Sequence, residues 1–124
     1  MASDIDETGS VRIYGIHFDT DQATIQEKSE SALAEIATLL AQNTDLNLGV
    51  VGHTDAVGNI EYNMDLSRQR AESVVDFLVS EHGIAKDRLT PHGVGPLAPV
   101  ASNADENGRA RNRRVELINL IGGR

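Results

Sequence analysis

Apolar and polar positions alternate from Val11 to Phe18, with Val11, Ile13 and Gly15 on one side and Tyr14, Ile16 and Phe18 on the other. A period of two is that of a strand, so a first strand is predicted here, running into the polar turn Asp19-Thr20-Asp21. From Gln26 to Gln42 the period changes: Ala32, Leu33, Ile36, Leu39 and Leu40 recur at helical spacing, with Glu27, Lys28, Glu30 and Glu35 outside. Asn43-Thr44-Asp45 breaks that helix, and alternation returns at Leu46, Leu48 and Val50, predicting a strand over 46–51. A second helix is predicted from Glu61 or Tyr62 to Glu81, stopped at His82-Gly83, where glycine can take the left-handed cap. Arg88 to Val94 reads as a short strand, Ala101 to Asn112 as a polar loop, and Arg114 to Ile121 as a final strand.

No gap in this order is wide enough for a domain boundary, and consecutive β-α-β units imply some parallel pairing. The predicted fold is therefore α/β, a two-layer α+β sandwich of order β-α-β-α-β-β, with a mixed sheet and both helices on one face. Residues 1–10, polar and acidic, read as a disordered lead, and residues 11–124 as one domain.

One strand-to-helix unit, Val50 to Arg70, concentrates the candidate chemistry. The turn sets a carboxylate, Asp55, just past a strand end. On the following helix Leu66, Arg70 and Val74 share one column, with Arg68, Gln69, Glu72 and Asp76 opposite. Arg70 thus points toward the core side, which is costly unless its five donors meet a carboxylate, loop carbonyls or a charged ligand. The plainer alternative is a side chain that snorkels past Leu66 into water.

Composition narrows the ligand classes. The 124-residue chain has a formal net charge of −8, which argues against nucleic acid or any polyanion recognised through bulk charge. Aromatics make up 3% and tryptophan is absent, so a stacking platform for sugars or bases is hard to build. Without cysteine there is neither a disulfide nor a thiolate metal site. No run approaches a membrane span, and the first ten residues lack a secretory signal. The chain reads either as cytoplasmic or as one domain of a longer protein whose other parts supply export and anchoring.

Two H-x-D frames, His17-Phe18-Asp19 and His53-Thr54-Asp55, make a four-ligand metal site conceivable, although turn-stabilising or surface roles are the stronger reading and no metal is assigned. Asp19 and Asp55 also resemble a paired acid and base for glycoside cleavage, yet such a pair is cheap to find among nineteen acidic residues. Nucleophile elbow, phosphate loop and dinucleotide glycine pattern are missing, so no cofactor is expected. The four arginines of G-R-A-R-N-R-R, Gly108 to Arg114, are assigned mostly structural roles as partners of the acidic excess.

Four fragments in this order, G-H-T-D-A-V-G (Gly52 to Gly58), N-M-D-L-S-R-Q-R-A (Asn63 to Ala71), G-V-G-P-L-A-P (Gly93 to Pro99) and N-R-R-V-E (Asn112 to Glu116), resemble the OmpA-like C-terminal domain. That is the peptidoglycan-associated module of outer-membrane proteins, lipoproteins and flagellar stators, and the resemblance spans about Val11 to Leu120. It implies noncovalent binding of the peptidoglycan stem peptide through diaminopimelate, no enzymatic activity, and a periplasmic setting in an outer-membrane or otherwise membrane-anchored envelope protein. It further implies that Asp55 and Arg70 grip the amino-acid head of diaminopimelate. Asp19, Thr20 and Asp21 match the turn after the first strand, and Thr54, Asn63, Leu66 and Ser67 the rest of the pocket edge. Asp21 stands where several relatives carry an uncharged amide. The rival functions are a protein-interaction domain without wall binding and, less favoured, a murein hydrolase using Asp19 and Asp55.

Overall fold

The computed structural model describes Ile5 and residues 8–120. Its elements are β1 (Ser10–Ile13), α1 (Glu30–Gln42), β2 (Leu48–His53), α2 (Ile60–His82), β3 (Leu89–Gly95), α3 (Glu106–Asn112) and β4 (Arg114–Asn119). The four strands form one mixed sheet in the order β1-β4-β2-β3. β2 and β3, joined through α2, pair in parallel, whereas β4 lies antiparallel between β1 and β2.

The period of two decides which side of the sheet is covered. Leu48, Val50, Val115 and Leu117 are buried and turn to one face. There they share a core with Leu33, Ile36, Ala37 and Leu40 of α1 and with Ala71, Val74, Val75 and Leu78 of α2. Both long helices therefore pack on the same face, as the sequence predicts. Asn59 caps α2 by accepting a hydrogen bond from the Tyr62 amide, and Gly83 ends it at φ 67°.

α2 lies close to the sheet because two glycines let it. A Cβ on Gly52 would stand 2.3 Å from the Ser67 carbonyl oxygen, and one on Gly93 would stand 2.1 Å from the Arg68 nitrogen. This contact brings the first turns of α2 against the ends of β2 and β3.

Several boundaries differ from the sequence reading. The first strand stops at Ile13 rather than Phe18, because Ile13 pairs with Val115 near the very start of β4 and little partner strand remains beyond it. Phe18 instead forms an isolated bridge with Ile25, closing a small turn in which the Asp19 amide donates to the Thr24 carbonyl at 3.0 Å. Asp21 sits in this turn at φ 58°, a left-handed conformation that aspartate tolerates better than most residues. β2 starts at Leu48 rather than Leu46 and runs on to His53, since Arg114 and Gly95 both pair with His53.

The predicted loop 101–112 contains α3. Asp105 caps it by accepting from the Gly108 amide at 2.8 Å, and buried Asn112 ties its end to Val100, Ala101 and Asn103. The seven residues E-N-G-R-A-R-N carry no apolar stripe, so tertiary contacts hold them helical. Most of the predicted disordered lead, residues 1–4, 6 and 7, lies outside the described residues. Of the remainder, Ile5 is buried in the core and Ser10 opens β1.

Candidate functional site

At the end of the sheet where β2 finishes, a cleft of about 720 Å³ opens. Its walls come from the segment after β1 (Tyr14, Ile16, His17, Phe18, Thr20, Asp21), the turn after β2 (Thr54, Asp55, Val57), the start of α2 (Asn63, Leu66, Ser67, Arg70) and the α3–β4 junction (Ala110, Arg113, Arg114). Eight of the nine residues singled out in the sequence therefore meet on one wall system. The ninth, Asp19, is not among the lining residues; its carboxylate accepts from Gln26 at 3.3 Å and its carbonyl from Gln22 and Arg70.

Arg70 is held by loop carbonyls. Its Nε donates to Gln22 at 2.8 Å and its Nη2 to Asp19 at 3.2 Å, while the guanidinium lies 4.9 Å from the Phe18 ring centre. These contacts satisfy donors without cancelling charge. Burial lowers the arginine's pKa, partly offset by nearby Tyr62 and Asp21, but an arginine so placed stays protonated. The cation is thus half-buried, and among the described residues no carboxylate hydrogen-bonds to it.

Asp55 faces the same cleft. Its Oδ1 accepts the Val57 amide at 3.0 Å and its Oδ2 accepts Arg113 Nη1 at 2.8 Å. Arg113 also donates through both terminal nitrogens to Glu106, the first residue of α3. Those carboxylates hold the Arg113 pKa above its ordinary value, and Arg113 holds Glu106 below the usual carboxylate value.

The remaining wall residues divide between lining and support. Asn63 is buried and donates to the Val57 carbonyl at 2.9 Å, bracing the Asp55 turn. Thr54 is buried too, its amide bonded to Gly95 and its hydroxyl to the Asp55 carbonyl. Ser67 donates to Met64 and accepts from the Gly95 amide, so its hydroxyl is occupied within the scaffold. Tyr62, through its hydroxyl, ties the Asp21 carbonyl to α2 at 3.2 Å.

His53 lies under the cleft with both ring nitrogens buried and, among the described residues, without hydrogen-bond partners. Glu116 stands 3.8 Å from its Nε2, but that carboxylate already receives Arg114 at 2.6 Å. Burial and the Arg114 charge lower the His53 pKa to about 4 against the partial opposition of Glu116. Among the described residues no group of three or more histidine or acidic side chains is placed to hold a metal ion, so the two H-x-D frames do not converge on one.

The sequence reading missed Phe18 and Arg113 as part of this wall. Arg113 was hidden in a basic run two of whose other members serve structure: Arg114 is buried against Ala98, Asn112 and Glu116, and Arg109 bonds Asn103 and Glu106, whereas Arg111 is exposed. Only the return of α3 across the cleft separates Arg113 from them.

The wall carries both signs of charge. The Arg70 guanidinium, without a carboxylate hydrogen bond among the described residues, and the Asp55 carboxylate, oriented by the Val57 amide and Arg113, both line it. A ligand with an ammonium and a carboxylate on one carbon matches that arrangement.

Comparison with known proteins agrees with the resemblance read from the motifs. The chain is 42% identical over 101 residues to Outer membrane porin F of Pseudomonas aeruginosa, a match covering 82% of this chain and 29% of the porin. It is 39% identical to the peptidoglycan-binding protein ArfA of Mycobacterium tuberculosis, covering 83% of this chain and 31% of ArfA. The chain thus spans about a third of the length of these two relatives. Among solved structures, the peptidoglycan-associated lipoprotein from Burkholderia pseudomallei superposes with a TM-score of 0.73 at 31% identity, covering 84% of this chain and 87% of that one. The OmpA family model matches residues 17–113, from the segment after β1 to Arg113, and the chain belongs to the OmpA family.

Proposed function

We propose that this domain binds peptidoglycan noncovalently and without catalysis, through the diaminopimelate head group of the stem peptide. In this reading Arg70 receives the head-group carboxylate as a planar fork and Asp55 receives the ammonium. Thr20, Asp21, Thr54, Asn63, Leu66 and Ser67 form the edge of the pocket, and Asp19 shapes it through the carbonyl that anchors Arg70. The observation that carries the proposal is the placement of Arg70: half-buried, hydrogen-bonded among the described residues only to carbonyls, and facing a cleft that also holds Asp55. Membership in the OmpA family and likeness to proteins named as peptidoglycan-binding or peptidoglycan-associated support it.

The setting that fits is the periplasm, with residues 11–124 acting as the wall-binding unit of an envelope protein. Any membrane attachment then belongs to other parts of the parent protein. No helix among the described residues is long and apolar enough to cross a membrane.

The test is co-sedimentation with purified sacculi, followed by assay of the supernatant. The pure domain should pellet with the sacculi and release no soluble muropeptide. Release of fragments would favour a hydrolase. Failure to sediment, together with recovery of a periplasmic protein partner, would favour an interaction domain that does not bind the wall.

A further inference from the structure

Arg113 and Glu106 have no part in the head-group contacts proposed above, yet they control what Asp55 can offer. Asp55 presents its Oδ2 to Arg113 at 2.8 Å with its side chain 15% exposed, while Arg113 is 40% exposed and Glu106 64% exposed. The charges alternate from partner to partner: Asp55, Arg113, Glu106, then Arg109, whose Nε reaches Glu106 at 3.3 Å.

A guanidinium prefers to take a carboxylate with two parallel hydrogen bonds. Arg113 does not do so with Asp55, because its Nη2 is engaged by Glu106 and only Nη1 reaches Asp55. We propose that Glu106 restrains Arg113 from closing bidentate on Asp55, and that this Asp55–Arg113–Glu106 relay sets the site's affinity and selectivity for ligands bearing an ammonium. Glu106 and Arg113 are positioning residues here: they act through Asp55. Removing Glu106 leaves a cation beside Asp55 with both arms free to cover it, so an incoming ammonium must displace the guanidinium. Removing both Glu106 and Arg113 leaves the Asp55 carboxylate held by the Val57 amide and uncovered by the guanidinium.

The inference rests on the diaminopimelate reading, and the experiment separates the two. Affinities of the whole chain are measured by titration calorimetry at low ionic strength for two synthetic peptides. One is the tripeptide L-Ala-γ-D-Glu-meso-diaminopimelate. The other carries 2-aminopimelate in its third position, which keeps the distal carboxylate and lacks the distal amine. Wild type should prefer the first peptide. Glu106→Gln should lower that preference by about threefold, as for the loss of an exposed charge near the site. Glu106→Gln combined with Arg113→Gln should restore it, a recovery that a merely structural role for Arg113 would not produce. Undiminished preference in Glu106→Gln, or no recovery in the double variant, overturns the relay alone. Failure of wild type to bind either peptide overturns the diaminopimelate reading and the relay with it.

Discussion

Asp55 Oδ2 and Arg113 Nη1 meet at 2.8 Å across 58 positions of sequence, so the anion of the cleft is neutralised by a residue of β4's approach and not by Arg70. Arg70 spends its hydrogen bonds on the carbonyls of Gln22 and Asp19. The two opposite charges of the site are thereby kept apart and both face the cleft.

Arg70→Ala should cut binding to sacculi by something on the order of 2 to 5 kcal/mol, as for truncation of a buried charge pair. Arg70→Lys should recover little, because an ammonium cannot reproduce the fork that spans two carbonyls and a carboxylate. Arg68, on the outer face of α2, pairs with Asp65 and Glu72 and stands clear of the cleft. Arg68→Ala should therefore sediment with sacculi like wild type. Full sacculus binding by Arg70→Ala would place the ligand elsewhere.

Asp55→Asn keeps an oxygen for the Val57 amide and removes the charge. Thermal stability should change little, while discrimination between diaminopimelate and its analogue lacking the distal amine should disappear. Unfolding of Asp55→Asn, seen by circular dichroism, would instead assign Asp55 a structural role.

His53 gives a pH dependence whose sign follows from burial. Its folded pKa of about 4 lies below the ordinary value of 6.5, so the unfolded chain binds more protons between those values. Stability is fully present above about pH 6.5 and is lost as pH falls toward 4, by roughly 3 kcal/mol if the whole shift counts. Glu116 lies beside His53 and is paired in turn with Arg114 and Arg12. Denaturant melts of wild type and His53→Leu across this range should show a shallower pH slope in the variant; equal slopes would refute the assignment.

Two glycines of the sheet should respond oppositely to alanine. Gly93→Ala drives a Cβ into the α2 backbone at 2.1 Å and should destabilise by about 3 kcal/mol or more, as for severe overpacking. Gly49→Ala meets its nearest atom, Ile118 Cβ, at 3.5 Å and should be neutral or stabilising by up to about 1 kcal/mol. Thermal melts of the two variants measure the difference directly.

The amino-acid sequence by itself determined the elements whose periodicity is long. α1 and α2 carry apolar positions over several turns, and the buried faces of β2 and β4 alternate through Leu48, Val50, Val115 and Leu117, so their burial follows from local repeat. The inward turn of Arg70 was legible for the same reason: helix geometry fixes which residues share a column. Only the tertiary structure decided the rest. β1 ends where its antiparallel partner β4 begins, a fact of pairing that alternation through Phe18 cannot express. α3 is helical because Asp105 caps it and Asn112 clamps its end, with no apolar stripe to announce it. Arg113 reaches Asp55 because that short helix carries the chain back across the cleft, and Coulomb attraction between residues 58 apart depends on distance in space, which no local pattern encodes.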